Sequence, residues 1–171
     1  FTSFLERTTA YSLLGVKYLV TNHFFQNAGI PLIDIGETNI YQNSKALPST
    51  FLVQNLEFAP TAVTAMEKAV MLDESLINTG VVENSILLGQ MNHAVDSEVS
   101  STKVIEIKTN SRTIEVNTDI KRMLVINEVH FPGWKAKVDG EPVQIHRING
   151  LLKGVAVDPG QHIVKLEFIP E

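Results

Sequence analysis

The chain has 171 residues and a formal charge of −5, with 14 Lys and Arg against 19 Asp and Glu and no cysteine. Without cysteine there are no disulfides, thiolate nucleophiles or cysteine-based zinc sites, and basic residues scattered rather than clustered exclude nucleic acid as a partner. No apolar run reaches the roughly 18 to 20 residues that span a bilayer, no signal segment opens the chain, and the length suits one large domain or two small ones.

Ser3 and Glu6 have capping-box spacing, and Phe4, Leu5, Leu13 and Leu14 form one stripe, so a helix is expected near 4–14, ended by Gly15. VKYLVT (16–21) then reads as a buried strand and IPLIDI (30–35) as another, with turn material at 36–39 before Ile40 and Tyr41, and a third apolar run, FLV, after Leu47-Pro48. Pro60 and Thr61 start a second helix in which Val63, Met66, Ala69 and Val70 recur at helical spacing, and Asp73 opens a short turn toward Gly80, Val81 and Val82. The polar stretch 92–102, NHAVDSEVSST, is the expected boundary between halves.

Beyond it the period changes to two. VIEIK, RTIEV and MLVINEV are strands, the first two joined by a hairpin loop at Thr109-Asn110-Ser111. Asp139-Gly140, Asn149-Gly150 and Asp158-Pro159-Gly160 then mark three further turns. A two-residue turn at Asp139-Gly140 sets Val138 opposite Glu141, Ala136 opposite Val143 and Trp134 opposite Ile145, all on one face. It also puts Pro142 at a position where its missing amide proton costs this hairpin nothing. A loop extended through Leu151 sets Ile145 and Val143 against Val155 and Val157 and keeps the apolar face continuous. In the last strand Val164, Leu166 and Phe168 share a face, and Lys165 and Glu167 face water. Trp134, the single tryptophan, is therefore expected in a sandwich core, the alternative being an exposed plate for stacking on a sugar. The fold class expected is α+β and mainly antiparallel: a C-terminal, jelly-roll-like β-sandwich at 96–171 preceded by a smaller mixed α/β portion at 1–95.

Taken together, Pro132-Gly133-Trp134-Lys135, Val138-Asp139-Gly140, Pro142-Val143, Asn149-Gly150 and Pro159-Gly160-Gln161-His162 form an ordered set. It resembles the C-terminal extracytoplasmic segment of the YfhO-type bacterial membrane proteins, with Gln161 where the family usually has lysine. LLGVKYLVT, IYQNSKALPSTFLV and VVEN are similar to the family as well, although Ser49-Thr50 stand where it tends to carry Arg-Ala. The resemblance implies a piece of a polytopic glycosyltransferase of the GT-C type at the extracytoplasmic face of the cell membrane. Such an enzyme draws sugars from a polyprenyl-phosphate carrier to modify envelope polymers, with its catalytic acids in loops between membrane helices. The missing initiator Met and the stop just after Pro170 fit that expectation of a longer protein. This domain is then expected to be non-catalytic and to shape or guard the acceptor side. Its partners would be the protein's own transmembrane helices and an envelope glycan or lipid-linked sugar. A carbohydrate-binding module acting alone and a purely structural domain stay open as alternatives.

No catalytic residue, metal ligand or cofactor is expected. His23, His93, His130, His146 and His162 lack metal-site spacing, and no nucleophile elbow, Walker loop or dinucleotide-binding glycine pattern occurs. Asp139, Glu141 and Asp158 are explained by turns rather than by a glycosidase pair. For polar ligand contact the candidates are Trp134, Lys135, His130, Arg147 and Asn149, set against a reading of Lys135 and Arg147 as solvated strand-end charges.

Overall fold

The computed structural model describes residues 8–24, 30–91 and 100–170. The expected Ser3–Glu6 cap, Phe4, Leu5 and His93 lie outside them, as does most of the 92–102 stretch. Two compact units divide the chain, Phe1–Pro48 and Ser49–Glu171.

In the first unit α1 (Thr8–Leu13) ends where Gly15 takes a φ of +68°, a conformation that glycine adopts without strain. The strands β1 (Tyr18–Thr21), β2 (Leu32–Ile35) and β3 (Asn39–Gln42) form an antiparallel sheet in the order β1-β3-β2. Asn43 ties the helix end to the sheet, its Nδ2 donating to Ser12 Oγ at 3.1 Å and to the Val16 carbonyl at 2.9 Å. The burial expected for VKYLVT is not found, since Tyr18 and Val20 are exposed. An apolar run alone does not say which layer covers it.

The second unit is a β-sandwich. Its six-stranded sheet, in the order β4-β9-β13-β12-β6-β5, comprises β4 (Thr50–Val53), β5 (Asn55–Phe58), β6 (Thr79–Val82), β9 (Arg122–Val129), β12 (Ile145–Ile148) and β13 (Leu152–Val157). The five-stranded sheet, β11-β10-β14-β8-β7, comprises β7 (Ser101–Lys108), β8 (Ser111–Thr118), β10 (Trp134–Val138), β11 (Glu141–Val143) and β14 (Gly160–Phe168). Between them lies one core, in which Leu52, Leu124, Ile126, Val155 and Val157 meet Ile114, Val116, Ala136, Val164 and Leu166. These are alternate residues on their strands, as a period of two demands.

β5 and β6 are parallel, joined through α2 (Ala62–Leu72) and a 3₁₀ turn at Asp73–Ile77. This parallel crossover lies within the stretch expected to be mixed α/β, in a unit that is otherwise antiparallel. β4, β5 and β6 share a sheet with β9, β12 and β13, and all six strands lie in the compact unit Ser49–Glu171. Thr61 caps α2 in a reciprocal box with Thr64, worth about 1 kcal/mol. The buried stripe of α2 is Ala65 and Ala69, whereas Val63 and Met66, expected on the apolar face, are exposed. The small residues let the helix backbone approach the sheet closely. A further short helix, α3 (Leu88–Met91), follows a 3₁₀ turn at Ser85–Leu87 capped by Asn84.

The expected register holds at the Asp139-Gly140 hairpin, where Ala136 pairs with Val143, Lys137 with Pro142 and Val138 with Glu141. Beyond Val143 the chain crosses to the other sheet at Gln144, so Trp134 does not pair with Ile145; on its other edge, toward β14, it pairs with Phe168. In the second hairpin Ile148 pairs with Leu152 and Ile145 with Val155, the extended loop through Leu151. Val143, on the five-stranded sheet, has no partner in Val157. The β7–β8 loop is Thr109-Asn110 alone, because Ser111 already pairs with Lys108.

Candidate functional site

At one end of the sandwich the inward face turns from apolar to charged. The alternation that buries Ile114 and Val116 carries Arg112 inward on β8, and the same rule brings Glu128 beneath Leu124 and Ile126 on β9 and Lys153 beyond Val155 on β13. Glu128 joins the three, taking a hydrogen bond from Arg112 Nε at 2.6 Å and one from Lys153 Nζ at 2.9 Å. Lys153 is 1% exposed, and its ammonium lies 3.7 Å from the centroid of the Trp134 ring, within cation–π range. The indole is half-buried on the inner face, with the Phe168 ring 5.7 Å away at 52°. Trp134 thus closes the end of the core over a buried cation, a packing role in which one face of the ring is already occupied.

Desolvation pushes the Glu128 carboxyl up, and the two cations overcome it, so it lies below its ordinary value. Burial pulls Lys153 down against the help of Glu128. Both shifts describe one triad in which the carboxylate is well compensated and the ammonium is the strained member.

Beside this triad, Arg147 on β12 stands opposite Lys153. β12 and β6 are paired only at Ile148 and Val82, and past that point the strands part. Arg147 bridges the gap to Glu83, donating from Nε and Nη2 to the two carboxylate oxygens, each at 2.6 Å. This fork geometry is the strong form of an ion pair. It holds the Glu83 carboxyl below and the Arg147 guanidinium above their ordinary values. A cleft of about 320 Å³ opens there, lined by the polar Glu83, His130, Gln144, His146 and Arg147 and by the apolar Val82, Leu87 and Ile145. Burial lowers the pKa of both histidines, helped at His130 by the charges of Arg147 and Lys153 and at His146 by His130. Both imidazoles are therefore neutral near pH 7.

A second, larger depression of about 520 Å³ lies at the other end of the sandwich, against Thr50, Gln54, Asn78, Ser101, Thr102 and the buried Arg122. There Thr50 and Thr102 link the two sheets by a hydroxyl pair at 2.9 Å. Among the described residues no group of three His, Cys, Asp or Glu is placed to hold a metal ion, and no helix is long and apolar enough to cross a membrane.

Of the residues singled out from the sequence, His130 and Arg147 share the cleft, and Trp134 lies next to it through Lys153. Lys135 does not join them. It is exposed on the outer face opposite Glu167. Asn149 is wholly buried, its Oδ1 accepting the Val81 backbone amide at 2.8 Å while its own backbone N–H donates to the Val81 carbonyl at 2.7 Å. That pairing pins the turn to β6. Glu83, His146, Glu128, Lys153 and Arg112 were not singled out. The inward register of the last three was legible, because each continues an apolar alternation, but the pairing of Glu83 with Arg147, 64 positions apart, left no local signal.

The family model described as bacterial membrane protein YfhO matches residues 86–171, half of the chain, from the 3₁₀ turn to the C-terminal end. The motif set from Pro132 to His162 falls inside that range, and LLGVKYLVT, IYQNSKALPSTFLV and VVEN lie before it. No curated protein and no solved structure matches the chain.

Proposed function

The chain belongs to the YfhO family of bacterial membrane proteins, and on that premise we propose that it is a non-catalytic extracytoplasmic domain of a membrane-embedded glycosyltransferase. It shapes or guards the acceptor side while sugar is transferred from a lipid carrier to an envelope polymer. The observation that carries the non-catalytic part is the state of the acids. Glu83, Glu128 and Asp139 are each tied to a cation or a backbone amide, and each is held below its ordinary pKa. A general acid needs the opposite shift, and a carboxylate locked in two hydrogen bonds is a poor nucleophile.

The full-length protein in membranes, given a polyprenyl-phosphate-linked sugar, tests the reading. Glu128→Gln and Asp139→Asn are expected to keep kcat within about tenfold. A loss of about a thousandfold, the scale of a missing acid or base, in either variant or in Glu83→Gln with the domain still folded, would overturn the non-catalytic role. Failure to consume any such donor would remove the transferase itself.

A further inference from the structure

We propose that the cleft between β12 and the turn after β6 binds an uncharged, polyhydroxylated ring, that of a neutral sugar. The inference deepens the acceptor-side reading and rests on it for the origin of the ligand, while the binding itself follows from the geometry below.

The cleft carries no net charge. Glu83 and Arg147 cancel one another, with both carboxylate oxygens and two of the three guanidinium nitrogens engaged. The histidines beside them are neutral near pH 7. A phosphate or carboxylate would have to displace Glu83 from a bidentate bond, and an ammonium would have to displace Arg147, both unfavourable exchanges for a charge-assisted pair. What stays available is mixed: Arg147 Nη1 as a donor, the remaining lone pairs of Glu83 as acceptors, Gln144 and the His146 imidazole as both, and the ring nitrogen of His130 that its own backbone does not engage. A hydroxyl group is likewise donor and acceptor at once, so a ring bearing several matches such a wall, whereas a phosphate anion is chiefly an acceptor and an ammonium only donates.

The apolar part of the lining supplies the other half of the fit. Leu87 is buried and Ile145 partly so. Ile145 offers the accessible apolar surface for the C–H face of a sugar ring, with Leu87 behind it in the lining, and the volume of about 320 Å³ lies at the lower end of the range for ligand sites, about 300 to 1,000 Å³. The ion pair also fixes the polar groups before the ligand arrives, which lowers the ordering cost of binding.

The 171-residue chain, titrated in turn with glucose, N-acetylglucosamine, glucuronate and inorganic phosphate while the His130 and His146 ring protons are followed by NMR, decides the matter. Saturable shifts of both rings with a neutral sugar are expected, weakened about tenfold or more by Arg147→Gln and by Gln144→Ala. Unchanged Trp134 indole and Gly150 amide signals verify folding in each variant. Gln144 is exposed and forms part of no sheet, so its variant keeps the test open if Arg147→Gln unfolds. Shifts with phosphate or glucuronate alone would overturn the proposal in favour of an anion site, and no saturable shift with any neutral sugar would overturn it outright. Binding here without transfer by the full-length protein leaves this inference standing and removes the transferase; transfer without binding does the reverse.

Discussion

At the scale of single residues, the charged side chains are placed in pairs whose worth depends on burial and pH. Asp139, at a φ of +51° in its turn, accepts the Ile163 amide at 2.8 Å and the His162 ring at 2.6 Å. These bonds lower the Asp139 pKa, the amide first, and raise that of His162. The aspartate contribution is present above its unfolded value and lost as pH falls through the lower folded one. The histidine contribution is complete below its unfolded value and lost as pH rises through the higher folded one. The Tm gap between the natural protein and His162→Gln is therefore expected to be widest between about pH 4 and about pH 6.5 and to close on either side. A gap independent of pH in thermal scans would refute it. In the part-buried triad, Glu128→Gln leaves two cations facing each other beneath Trp134 and is expected to cost roughly 3 kcal/mol. Lys153→Met removes the strained ammonium, leaves Glu128 with Arg112 and should cost clearly less. Urea titration of both variants checks the order, and equal losses would show that Lys153 is not the strained member.

At the scale of elements, the turns carry the topology. Gly150 has a φ of +72°, and a Cβ there would run into the Ala62 carbonyl and the Met66 backbone of α2. Gly150→Ala combines left-handed strain with a clash against a helix backbone and is expected to cost roughly 3 kcal/mol or more. Gly140, with a similar φ of +91°, has open space around it, so Gly140→Ala pays only for the backbone, about 1 to 2 kcal/mol. Chemical denaturation of the two variants separates the turn that packs from the turn that only bends; equal effects would mean that α2 yields. Both turns were legible as Asp-Gly and Asn-Gly pairs. That Asn149 would be buried on Val81, rather than offered to a ligand, was not, because its partner lies on a strand 68 positions earlier.

At the scale of the whole molecule, the compact unit Ser49–Glu171 contains every residue of the sandwich core. A chain starting at Ser49 is expected to unfold in a single cooperative transition. One starting at residue 96 loses β4, β5 and β6 and bares a flank of β9 and of β12, so it is expected to aggregate or stay unfolded. Circular dichroism melts of the two fragments make the comparison, and a cooperative 96–171 fragment would show that the β-α-β crossover is dispensable. By itself the sequence determined the strand alternation, the Asp139-Gly140 and Asn149-Gly150 hairpins, the inward placing of Trp134 and the family, because local periodicity, turn chemistry and an ordered motif set are properties of neighbouring residues. Only the tertiary structure decided which sheet each hairpin joins, that Lys153 and not solvent lies on the indole, and that Glu83 reaches Arg147 across a gap between strands. Those outcomes depend on which distant segments desolvate one another, and a buried charge is settled by whatever partner the fold brings within hydrogen-bond reach.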